Sequence, residues 1–168
     1  LAEHGHDLVI VARDESRLKE RANRWSSSYG ISVEIISADL STIAGMEKVE
    51  SRLKDRAHPI EVLINNAGFG INKNFSASDL GEENDLLEVL VRAPMRAMHA
   101  VLPLMKERNS GTIINVSSVA GWIAGGSYSA AKSYLTVLTE SLHTELRNTN
   151  IHIHALCPGF TRTEFHQR

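Results

Sequence analysis

Apolar positions along the chain fall into two alternating kinds of run. The short, nearly continuous ones are DLVIVA from Asp7 to Ala12, ISVEII from Ile31 to Ile36, IEVLI from Ile60 to Ile64, GTIINVSS opening at Gly111, and IHIHAL from Ile151 to Leu156. Runs of this length, rich in β-branched residues, read as strands covered on both faces. Between them the apolar residues recur every three or four positions. Leu18, Ala22 and Trp25 line one face of a charged segment from Arg13 to Ser28, which Tyr29-Gly30 closes. Met46, Val49 and Leu53 do the same between Ile43 and Ala57, ahead of His58-Pro59. Tyr134, Leu135, Leu138, Leu142 and Leu146 mark a helix reaching Arg147. From Asp79 to Arg108 one apolar face carries Leu86, Leu90, Met98 and Met105 over many turns, with Pro94 and Pro103 expected to interrupt or bend it. Its methionines suit core or subunit packing.

Strands alternating with helices of this length predict an α/β domain of three layers, a doubly wound, Rossmann-like parallel sheet. No internal repeat or linker divides the chain, and its most irregular stretch, Ser76 to Asn84, is too short to separate domains. With 168 residues, 42% of them apolar, a single domain is expected. The one cysteine, Cys157, cannot form an internal disulfide and reads as packing at a strand end.

Charge narrows the partners. Eighteen basic against 20 acidic residues leave a formal charge of -2, which supplies no field for nucleic acid or an anionic membrane. No run has the roughly 18 apolar residues of a membrane span, and LAEHGHDLVIVARDE lacks the basic leader of a secretory signal, so a reducing, cytoplasmic setting is expected. His152 and His154 share a strand face without a convincing metal spacing, and no metal is expected.

In such folds ligands bind beyond the carboxyl ends of the strands. The polar residues placed there are Arg13-Asp14, Asp39-Leu40, Asn65-Asn66-Ala67-Gly68 and Ser117-Ser118. NNAGFG, from Asn65 to Gly70, is either an ordinary tight turn or a place where backbone approaches a ligand closely. Tyr128 and Lys132, four apart in YSAAK, share one helical face, where an ammonium favours phenolate and readies the tyrosine for proton exchange with a carbonyl or alcohol. Ser118 lies ten residues before Tyr128. The intervening VAGWIAGGS is a glycine-bearing loop able to return the hydroxyl to the phenol.

NNAG at 65 to 68, NVSS at 115 to 118, YSAAK at 128 to 132 and PGFTRT at 158 to 163, in this order, resemble the classical short-chain dehydrogenase/reductase family. The resemblance covers nearly the whole chain. It implies a dinucleotide-binding fold that moves hydride between a nicotinamide and a carbonyl or secondary alcohol. By that pattern Tyr128 is the general acid or base, Lys132 binds the nicotinamide ribose and depresses the tyrosine pKa, and Ser118 holds the substrate oxygen. Asn65, Ala67 and Gly68 lie against the cofactor, Asp39 and Leu40 near the adenine, and Pro158, Gly159 and Thr163 beside the nicotinamide. Arg13 offers a guanidinium suited to a 2′-phosphate, which favours NADP(H) over NAD(H). The paired-helix interface of the family implies a homodimer or homotetramer.

Three departures accompany the resemblance. Leu90 occupies the place of an asparagine that supports a water chain to the lysine in the family. The loop from Ser118 to Tyr128 is shorter by about three residues than the commonest form, which leaves Trp122, Ile123 and Ala124 less room as a substrate wall. The family's glycine-rich pyrophosphate loop precedes Leu1. Residues 1–168 are therefore expected to form one NAD(P)-binding domain without its first strand and C-terminal region, its strands split into a pair and a trio. About 20 to 30 residues are expected before Leu1 and a longer substrate lid after Arg168. Two functions remain open: an NADP(H)-dependent oxidoreductase, or a weakly active or non-catalytic binding protein of the same fold.

Overall fold

A computed structural model of the 168-residue chain describes residues 1 to 160. In chain order the elements are β1 (Leu8–Ala12), α1 (Glu15–Tyr29), β2 (Val33–Ser37), α2 (Ile43–Leu53) and β3 (Val62–Asn65), then α3 (Leu80–Leu87), α4 (Ala93–Arg108), β4 (Gly111–Val116), α5 (Gly126–Leu146) and β5 (Ile151–Leu156). Local chemistry sets their ends. Asp14 starts α1 by accepting from the Arg17 amide at 3.0 Å, and Thr42 starts α2 by accepting from the Gly45 amide at 3.0 Å. At the far end of α4, Asn109 takes the left-handed conformation, φ 51°, that turns the chain into β4.

All strand pairs are parallel, with Ile10 opposite Ile35, Ile64 opposite Ile114, and Ile113 opposite Ile153. Helices flank the strands, and the fold is a Rossmann-like three-layer α/β arrangement. The strands form two groups, β1-β2 and β3-β4-β5.

The main core lies between the three-stranded sheet and helices α2, α4 and α5. Leu53, Met98, Met105, Ile113, Leu146, Ile151 and Ile153 are buried in it together. Burial of each such side chain is worth about 1.5–3 kcal/mol, so this cluster fixes how α4 and α5 lie on the strands. Helix α2 joins it to the β1-β2 half: Leu53 belongs to it, Val49 packs against it, and Arg96 of α4 pairs with Glu50.

The helical segment after Asp79 departs from expectation in one respect. Its regularity fails at residues Glu88–Arg92, which form a π-helical turn, rather than at Pro94. Pro94 has no amide to offer the Leu90 carbonyl one turn earlier, and the helix widens ahead of it. Pro103 sits inside α4 without ending it. The irregular stretch is also shorter than expected, because Asp79 caps α3 by accepting from the Gly81 amide at 2.8 Å. On β5, His152 and His154 do share the exposed face, their rings stacked 6.5 Å apart. Among the described residues no helix is long and apolar enough to cross a membrane.

Candidate active site

Ser118 leaves β4 in extended conformation and opens a short 3-10 turn, Val119–Trp122, accepting from the Ala120 amide at 3.1 Å. That turn lies directly on α5. A Cβ at Gly121 would stand 3.1 Å from the Ser133 nitrogen and 3.2 Å from the Lys132 carbonyl carbon, so any larger residue would push the turn off the helix backbone by a few tenths of an ångström. On its other side the Val119 amide donates to the Pro158 carbonyl at 3.2 Å, which ties the segment after β5 to the same place. Held in this way, the Ser118 hydroxyl stands within hydrogen-bonding reach of the Tyr128 phenol in the first turn of α5. The juxtaposition expected from the loop length is therefore present.

Lys132, one turn further along α5, is only 4% exposed. Its Nζ donates to the Val116 carbonyl at 2.6 Å and lies 5.7 Å from the centroid of the Tyr128 ring. Burial pushes its pKa down to about 8, against a smaller opposing influence of Cys157. Leu90 forms part of the apolar wall around it, in a cluster with Leu86 and Ala131 against which Tyr128 and Phe69 pack. A Cβ on Gly68 would meet Leu90 Cδ2 at 2.8 Å and Lys132 Nζ at 3.8 Å, so Gly68, Leu90 and the amine converge. The tyrosine corrects one expectation. Its pKa is raised, not depressed, because burial outweighs the Ser118 hydrogen bond, and the lysine engages a backbone carbonyl.

Two buried polar chains fix α5 against β4, and neither was foreseen. Asn115, fully enclosed, accepts from Asn65 Nδ2 at 2.8 Å and donates to Thr139 Oγ1 at 2.8 Å, linking the NNAG turn to the helix. Ser117 donates to the Lys132 carbonyl at 2.8 Å and lies 2.7 Å from Thr136 Oγ1. Every polar group brought into the core by these side chains is paired, as low-dielectric burial demands. The only sequence signal was their polarity at alternate positions of a strand otherwise apolar on that face.

The other sheet contributes Arg13, Asp39 and Leu40. Asp39 is partly buried and accepts from the Ser41 amide and hydroxyl, both at 2.9 Å; these bonds hold its carboxyl below the usual range, with a small contribution from the Arg13 charge. Leu40 is partly buried beside it. Arg13 is exposed at the edge of a cavity of about 410 Å³, bounded opposite by residues 69 to 73 and by Glu82 and Asp85 of α3. Phe69 and Gly70 belong to the NNAGFG turn, and Ile71, Asn72 and Lys73 carry the wall beyond the residues that the sequence pattern marks. Ala67 and Gly159 are exposed. Thr163 lies outside the described residues.

A parallel α/β fold with a serine, tyrosine and lysine at the carboxyl end of one strand defines a class, and sequence and structural comparisons agree on it. The short chain dehydrogenase family model matches residues 1–168, and the chain belongs to that family. It is 34% identical over 163 residues to the ketoacyl reductase HetN of Nostoc sp., covering 95% of this chain and 56% of that protein. Against the NADP-dependent 3-hydroxy acid dehydrogenase of Schizosaccharomyces pombe the identity is 33%, over 94% of this chain and 62% of that one. The solved short-chain dehydrogenase from Sphingobium yanoikuyae in complex with NADPH superimposes with a TM-score of 0.94 at 35% identity, over 98% of this chain and 65% of that one. The chain thus spans less than two thirds of the length of each of these three proteins.

Proposed function

We propose that this chain carries the catalytic and cofactor-binding parts of an NADP(H)-dependent oxidoreductase acting on a small carbonyl or secondary alcohol. The observation that carries the reading is the placement of Ser118 within reach of the Tyr128 phenol, with the buried Lys132 beside it. A polar relay of three hydrogen-bonding groups on a half-buried surface has no packing rationale. It does have a chemical one, since a carbonyl oxygen placed between hydroxyl and phenol receives two donors.

The residues present fit a nicotinamide dinucleotide. A lysine amine with one backbone acceptor retains two donors for ribose hydroxyls. The cavity beside Arg13 is of ligand size, and the guanidinium suits a 2′-phosphate. When bound, the cofactor supplies or takes the hydride. Asp39 and Leu40 would hold its adenine end, Asn65, Ala67 and Gly68 its middle, and Pro158, Gly159 and Thr163 its nicotinamide side. NADP(H) binding by the Sphingobium yanoikuyae relative supports the choice of phosphate form.

Burial keeps the Tyr128 phenol protonated, so its resting role is that of a proton donor to a substrate carbonyl oxygen. Ser118 Oγ orients that oxygen. As the phenol gives up its proton, the Lys132 ammonium one turn away offsets the phenolate charge. Leu90, close to the amine, offers no polar atom for a water chain.

We read residues 1–168 as belonging to a single NAD(P)-binding domain. Exposed apolar side chains on α4 and α5, Met95, Tyr134 and Val137, support a homodimer or homotetramer built on these helices. A cytoplasmic setting suits the free thiol of Cys157. The decisive test is NADPH oxidation against a panel of carbonyl compounds and alcohols. Tyr128→Phe should lower turnover by about 10²- to 10⁴-fold while leaving NADPH binding in place. Cofactor binding without turnover on any of the panel would refute the enzyme and favour the binding protein.

A further inference from the structure

The helix that carries Tyr128 and Lys132 begins without a cap of its own. Its first residue, Gly126, has φ 73°, and at the preceding Gly125 a Cβ would stand 2.6 Å from Ser129 Oγ and displace that hydroxyl. Neither glycine offers an oxygen to the free amides of the first turn, the usual device for starting a helix. Yet this turn must hold the phenol in register with Ser118.

A carboxylate from another helix reaches it. Glu83, in the first turn of α3, is 93% buried by its 7% residual exposure, an uncommon state for a glutamate. Its carboxylate accepts from Ser78 at 2.6 Å and is within hydrogen-bonding reach of Ser127, the residue immediately before Tyr128. Those two hydroxyls hold it ionised, its pKa below the ordinary range. Its Oε2 is fully enclosed with no hydrogen-bonding partner of its own. Enclosing a charge that incompletely is costly. The compensating feature is its place: a negative charge at the positive end of a 21-residue helix.

We propose that Glu83 is a positioning residue for the reaction, clamping the first turn of α5 through Ser127 and so holding the Tyr128 phenol against Ser118. The inference rests on the oxidoreductase reading for its kinetic consequence, but not for its structural one. Glu83 touches no reacting atom; it acts through Ser127.

The test uses Glu83→Ala, Glu83→Gln and Ser127→Ala, with thermal melts and far-ultraviolet circular dichroism to select folded protein. Kinetic and phenol measurements follow on each. A misplaced phenol should cost about tenfold in kcat in Glu83→Ala and Ser127→Ala, with the KM for NADPH unchanged. Glu83→Gln, whose amide oxygen still accepts from both serines, should retain kcat within about threefold. A role in stability alone predicts lower melting temperatures with wild-type kcat and would overturn the proposal. The phenol itself gives a readout independent of turnover. Ultraviolet difference titration of each protein against its Tyr128→Phe counterpart should show Tyr128 ionising at higher pH in Glu83→Ala, because the Ser118 bond that favours phenolate is lost. Superimposable phenol titrations in wild type and Ser127→Ala would also overturn it, even if Glu83→Ala failed to fold. Absence of turnover in the wild type would instead refute the oxidoreductase reading, and the phenol titration would still decide the role of Glu83.

Discussion

Replacing Lys132 by methionine should stabilise the cofactor-free protein while removing its activity. The amine is enclosed, 4% exposed, and burial moves its pKa from the ordinary 10.5 to about 8. At about 1.4 kcal/mol for each tenfold change in proton affinity, the folded protein is penalised by about 3 kcal/mol for carrying this charge. Removing the side chain also loses its 2.6 Å bond to the Val116 carbonyl, worth about 1 kcal/mol. The net gain expected near neutral pH is about 2 kcal/mol. Its pH dependence identifies the cause. Between about 8 and 10.5 the unfolded lysine holds a proton that the folded one has released, so wild-type stability rises with pH through that window. Below it both states are protonated and the whole penalty remains. Urea unfolding of wild type and Lys132→Met across this range should show a difference that is largest near neutrality and shrinks as pH rises. A variant no more stable than wild type at neutral pH, or a difference that stays flat, would refute the desolvation argument.

Other sites give separable outcomes. Arg13→Ala should raise the KM for NADPH by about 10- to 100-fold, the loss of a charge-assisted contact, and leave that for NADH unchanged; equal effects on both would remove the 2′-phosphate assignment. Asn115→Val should lower stability by about 2–3 kcal/mol in urea unfolding, since Asn65 loses its acceptor and Thr139 its donor inside the core. A neutral substitution would show that the chain through Asn115 is not holding α5. Light scattering should return a dimer or tetramer, and a mass corresponding to a monomer at every concentration would exclude the pairing through α4 and α5.

Much of this architecture was legible because it is written locally. The strand Ile151–Leu156 was read at its observed limits, since Thr149-Asn150 precedes an alternating β-branched run and Pro158 follows it. Ser118, Tyr128 and Lys132 were legible for the same reason: four residues is one helical turn, and nine intervening residues with three glycines make a loop that can fold back. The polar chains through Asn115 and Ser117 were not, because they exist only in the register that the core imposes between β4 and α5. Glu83 was hidden differently. In sequence it is one of two acids in a helix's first turn, where acids sit for dipole reasons alone. Only the fold turns Glu82 outward to Lys73 and Glu83 inward to Ser127.

The raised tyrosine pKa carries the wider lesson about reading a catalytic pair from spacing. Tyr128 and Lys132 stand on one face, as four residues require, but spacing does not say which partner burial will affect or where the amine will bond. Here the sheet supplies a carbonyl, Val116, within reach of Nζ, and the π-turn before Pro94 brings Leu90 beside the same amine. A lysine so enclosed is near the limit of holding its proton, while the phenol is held well within the range of keeping its own. The pair therefore rests with the acid on the tyrosine. On the oxidoreductase reading the phenol becomes phenolate only when a substrate oxygen accepts its proton, beside a lysine that is an ammonium before and after, which is the order of events that carbonyl reduction needs.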